Sequence, residues 1–236
     1  MGAAAGRLLP ARDLEFICRW AGLRSGNRFG RPVPAPALRR LIAAAASNAS
    51  GNIYRHAGHF AHVVLAAGVL AACAGLRGEE RSLLVLAGLV HDLDHQGRRA
   101  SSRHCHQERF SAQRAVRVIA GCRGDGRLAL RIHSLLLATA LTNDVNRSNI
   151  LKSDRLARLL TDADIFASVI YPRQRSMEMT RALKLEQRLV GSVAALNRRF
   201  AEMIGATGLQ SDLARSMLRT AVESRHPSRN ILVLDS

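Results

Sequence analysis

Four short stretches of this chain carry side chains whose types and spacing could do chemistry. In YRHAGHFAHVV, Tyr54 to Val64, the histidines His56, His59 and His62 recur every three residues. At helical spacing they fall on neighbouring turns of one face. In LAGLVHDLDHQG, Leu86 to Gly97, an apolar run leads into His91, Asp92, Asp94 and His95. CHQERFSAQRA holds His106 and Glu108, and LLTDADIFAS places Asp162 and Asp164 within an apolar helical pattern. Ionisable groups buried in apolar surroundings are costly unless paired or bound to a cation. Imidazole and carboxylate donors without thiolates suit Mg²⁺, Mn²⁺, Fe²⁺ or Zn²⁺ in a reactive site rather than a structural zinc. An aspartate can bridge two such ions, and a close pair of ions can hold a hydroxide and neutralise phosphoryl oxygens.

Each residue also has a plainer explanation. A single histidine on an apolar helix is ordinarily a core or surface residue, and His62, His104, His133 and His226 are read that way. The adjacent pair His91–Asp92 is harder to explain as packing. Neighbouring helical side chains point about 100° apart. Both can reach one ion only where the helix meets a cavity.

The elements that must position these groups are helical. Periodicity predicts helices over 11–24, 36–47, 52–76, 79–95, 106–120 and 125–141. Others are predicted over 153–170, with Ser153 as N-cap, over 175–204 beyond Pro172, and over 209–224. SGNRFGRPVP reads as a link and QGRRASSRH as a loop. No strand pattern or internal repeat stands out. The expectation is an all-α bundle of eight or more helices. It has an N-terminal helical lead-in at 1–50, a principal domain at 51–224 and a tail at 225–236.

The 236 residues suffice for one sizeable core, and 47% hydrophobic with only 4% aromatic content suits helices packed from Leu, Ala and Val. The net charge is +17, yet Lys152 and Lys184 are the only lysines. The arginines are spread along the chain instead of blocked in a tail, and the few aromatics build no stacking platform for single strands. Nucleic acid is therefore a less favoured partner than a phosphorylated small molecule, and self-association is left open. Cys18, Cys73, Cys105 and Cys122 form no CxxC pair. No apolar stretch is long enough to span a membrane, and the first residues lack the hydrophobic region of a signal peptide. A cytoplasmic protein with free thiols is the expectation.

In this order, the tyrosine–histidine segment, HDLDHQG and ADI resemble the HD superfamily of metal-dependent phosphohydrolases. The nearest likeness is to the catalytic domains of class I 3′,5′-cyclic-nucleotide phosphodiesterases, over about residues 52–170. The resemblance implies a helical domain with two divalent metal ions and a metal-bound hydroxide that attacks a phosphodiester. It implies that His59, His91, Asp92 and Asp164 ligate the first metal and that Asp92 bridges to the second. His95 and Glu108, with Asp94, would organise the surrounding water network. The family's proton-donating histidine is Arg55 here, and the next residue is His56. Arginine stays charged at neutral pH, which makes His56 the candidate donor and Arg55, with Arg98 and Arg99, candidates for phosphate contact. Two other activities share this scaffold: a di-iron oxygenase, for which His106 and His133 would supply extra ligands, and a non-catalytic nucleotide sensor.

Overall fold

The structure, a computed structural model, describes residues 9–23, 33–48, 54, 57–94, 106–122, 126–140, 145–169 and 173–225. Among these the chain is all-α, with eleven helices and no strand. They are α1 (Ala11–Ala21), α2 (Ala35–Ala46), α3 (Ala57–Cys73), α4 (Gly78–Val90), α5 (His106–Gly121) and α6 (Gly126–Leu137). They continue with α7 (Val145–Ser153), α8 (Arg155–Val169), α9 (Arg173–Gln187), α10 (Val193–Thr207) and α11 (Asp212–Arg225).

Helix α3 is the central element. It is apolar on nearly every side, and Phe60, Val63, Val64, Ala67 and Leu70 are buried. A helix that is hydrophobic all round has to be surrounded. Here α1, α4 and α8 pack against it. Leu14 and Cys18 of α1 and Leu41 and Ile42 of α2 join the same core as Phe60 and Leu86. The approach of α1 depends on Gly68, where a Cβ would stand 2.7 Å from the Ala21 Cβ and 2.9 Å from its Cα. Burial pushes the Cys18 thiol up to about 12, with Glu15 adding to the effect, so this cysteine is an inert packing residue.

The helices differ from the sequence expectation in four places. Helix α4 ends at Val90 instead of continuing to 95, and His91–Asp94 form a turn. Helix α7 has no counterpart in the expected list, because VNRSNILKS carries no apolar stripe for periodicity to detect. Ser153 is the last residue of α7, its hydroxyl donating to the Asn149 carbonyl at 2.9 Å, and it does not cap α8. Asp154 is the cap: its Oδ1 accepts the Leu156 and Ala157 N–H groups at 2.9 and 3.2 Å. The single helix expected over 175–204 is two. Arg188 and Gly191 adopt left-handed backbone, with φ of 52° and 116°. Ser192 then caps α10 by accepting the Ala195 N–H.

No helix among the described residues is long and apolar enough to cross a membrane. The expected tail lies outside the described residues from 226 onward.

Candidate metal centre

The central apolar helix carries His59 near its start, where the ring is only 2% exposed. His91 follows the last residue of α4 and is 1% exposed. Close packing of α3 on α4, with Gly88 against Val63 and Ala67, brings the two rings together. Their Nε2 atoms stand 3.0 Å apart. Because α4 stops at Val90, the turn swings Asp92 toward the same point. This is the condition for two adjacent residues to serve one ion. The Asp92 Oδ2 lies 3.4 Å from the His59 Nε2 and 3.5 Å from the His91 Nε2. From α8, the Asp164 Oδ1 approaches the His91 Nε2 at 3.4 Å and the His59 Nε2 at 3.8 Å. One donor atom each from His59, His91 and Asp164 fall within 4.8 Å of one another, and Asp92 borders this group.

These positions fit a shared cation. Donors about 2.1 Å from one ion stand about 3.0 Å apart at right angles and about 3.4 Å apart at the tetrahedral angle. The measured separations match or slightly exceed that range. The His91 Nδ1 is fixed by the Gly88 carbonyl at 2.8 Å, so that once Nε2 gives up its proton its lone pair faces His59. One proton at most can lie between two facing Nε2 atoms, whereas a cation accepts both lone pairs. Among the described residues the buried His59 Nδ1 has no hydrogen-bond partner, so none of them fixes that ring's tautomer through it.

The electrostatics carry the same message. Burial alone would push the His91 imidazole down, but Asp92 and Asp164 outweigh it and hold it up at about 9. Burial would likewise raise Asp164. Facing His91 overcomes that and holds its carboxyl below the ordinary value. Two carboxylates against two buried imidazoles form a pocket that favours positive charge.

Tyr54 covers one side of the pair. Its ring centroid is 4.8 Å from that of His59, and its backbone N–H donates to the Glu186 Oε2 of α9 at 2.9 Å. Glu186 had no local signal in the sequence, since the partners are 132 residues apart.

Other residues singled out in the sequence lie outside this donor group. Asp94 has left-handed backbone, with φ of 59°. It ion-pairs with Arg114 at 3.1 Å and donates its N–H to the Asn48 side chain. Asp162 is fully buried and serves as an anchor. Its carboxylate accepts the Gln210 N–H at 2.5 Å, the Ser211 N–H at 2.9 Å and the Ser211 hydroxyl at 2.5 Å, tying α8 to the start of α11. Glu108 lies half-buried in the first turn of α5, His62 half-buried on α3 and His133 half-buried on α6. None of the three belongs to the donor group found among the described residues. Arg55, His56, His95, Arg98, Arg99 and His104 lie outside the described residues, as does the side chain of His106.

No family model matches the chain, and no curated protein matches it. The geometry and the order of the motifs therefore carry the functional argument.

Proposed function

We propose that this protein is a metal-dependent phosphohydrolase acting on a phosphoester, with phosphodiesters of the cyclic-nucleotide kind as the first substrates to try. The observation that carries the reading is convergence. His59, His91 and Asp164 come from α3, the turn after α4, and α8, and they meet at separations that could hold one cation, with Asp92 3.4 and 3.5 Å from the two imidazoles.

In this reading His59, His91 and Asp164, with Asp92 beside them, would hold a divalent ion, and Asp92 would help to hold a second. Bound there, such ions would supply an acidified water and offset the charge that builds on phosphoryl oxygens. The remaining work falls to the chain. The Gly88 carbonyl orients His91, and Tyr54 shields His59 from water on one side. His56 donates the proton to the leaving oxygen, and Arg55 meets the phosphate. They follow Tyr54 in sequence by two residues and one. His95 and Glu108 order the water around the phosphoryl group.

The deciding experiment is metal analysis of the purified chain, then turnover of a phosphodiester panel with Mg²⁺ or Mn²⁺. Asp92→Ala is expected to lose both metal and turnover. His56→Ala should keep its metal and turn over about 10²-fold or more slowly. Full metal occupancy in Asp92→Ala would remove the site, and full activity in His56→Ala would move the donor role elsewhere.

A further inference from the structure

Beside the metal pocket lies a cavity of about 190 Å³ between α9 and α10. Met179, Leu183, Leu189, Leu196 and Phe200 make most of its wall, and Tyr54 completes it. Tyr54 thus borders both spaces, since its ring also packs on His59. Arg199 stands exposed at the rim and has no ion pair among the described residues. We propose that this cavity receives a compact apolar group, alkyl or aryl, of an anionic phosphoester, with Arg199 attracting the charged end. This rests on the phosphohydrolase reading and narrows its substrate class.

Three observations select this occupant. A dry apolar cavity of about 150 Å³ holds a benzene ring, so the volume suits one ring with a small substituent. The wall offers little to a nucleobase, whose edge needs both donors and acceptors. It has no side-chain amide. Two of its hydroxyls are engaged: the Thr180 hydroxyl donates to the Ser176 carbonyl at 3.0 Å, and Asn197 donates to Ser176 Oγ and Thr180 Oγ1 at 2.9 Å each. Finally, an apolar pocket with a guanidinium at its mouth complements a molecule greasy at one end and anionic at the other.

The test combines binding with turnover on the full chain. Phenylphosphonate binding is measured by calorimetry. Turnover is compared for the 4-nitrophenyl phosphodiesters of methanol, phenol and thymidine. We expect the phenyl ester to show a KM about tenfold below that of the methyl ester, and Leu196→Trp to abolish that ratio by filling the cavity. Phenylphosphonate binding should weaken about tenfold in Leu196→Trp and also in Arg199→Gln, whose exposed position keeps folding out of the question. Equal phenylphosphonate binding in wild type and both variants, or no binding at all, overturns the cavity assignment whatever the esters do. A preference for the thymidine ester overturns it as well. Binding that both variants weaken, with no ester hydrolysed, keeps the cavity as an aryl-anion site and rejects the hydrolase reading alone.

Discussion

Asp162 and Asp164 stand two residues apart on one helix, and their surroundings give them opposite jobs. Asp162 is sealed in the core. Burial pushes its carboxyl up, against the pull of the Ser211 hydroxyl and the Gln210 and Ser211 N–H groups. Asp164 faces two imidazole nitrogens. Replacement by asparagine separates the roles. Asp162→Asn turns an NH₂ toward groups that all donate, and should lower stability by about 1–3 kcal/mol while the protein still takes up metal. Asp164→Asn removes a ligand and should abolish tight metal binding with little loss of helix content. Metal analysis and chemical denaturation of the two variants check the pair. Retained metal in Asp164→Asn would show that the donor group is not a metal site. The sequence offered both aspartates as candidates, because ADI and TDAD place them identically in an apolar pattern. The family likeness picks out Asp164, and the position of α11, nearly fifty residues downstream, gives Asp162 its own partners.

At the level of elements, the site depends on where helices stop. Helix α4 gives up its last turn after Val90, and that break lets adjacent residues serve one point. Helix α8 must begin in register for Asp164 to arrive, and its start is set by Asp154. That carboxylate caps the helix and pairs bidentately with Arg131 of α6, one contact being 2.9 Å. Burial would raise its pKa. The Arg131 hydrogen bond and the capped N–H groups outweigh burial and hold it below the ordinary value near 3.8. A carboxyl depressed by folding adds stability above its unfolded value, and loses it as pH falls through the folded one. Asp154→Ala should therefore lower stability by about 1–2 kcal/mol at neutral pH, and the gap to wild type should close below about pH 4. A gap that persists unchanged into acid would assign the effect to packing instead. Periodicity located the body of α8 but not this cap, because Ser153 and Asp154 are both good caps and the choice rests on Arg131, which approaches from another helix.

For the whole molecule, the candidate metal centre would be a tie between elements distant in sequence. Its donors come from α3, from the turn after α4 and from α8, the helices that build the core. A cation bound there would stabilise the folded chain by linkage, by about 2.7 kcal/mol at a hundredfold excess over Kd. For a chain of this size that corresponds to a rise in melting temperature of about 5–10 °C. Scanning calorimetry with Mn²⁺ and with chelator should show the rise in wild type and not in Asp164→Asn; an equal rise in both would mean that the ion binds elsewhere. The sequence by itself determined the helical class and the apolar character of α3, because each is written in local composition or spacing; it offered the four donors only through the likeness of the tyrosine–histidine segment, HDLDHQG and ADI to a known family. Where neighbouring signals were weak, as in α7 or the Gly191–Ser192 break, periodicity could not resolve the elements. Tertiary structure alone decided that Asp162 anchors α11 and Asp94 pairs with Arg114. It also decided that Glu186 holds Tyr54 and that a cavity opens beside His59. Those contacts join residues tens of positions apart or more, or from separate helices. Packing, not local propensity, selects them.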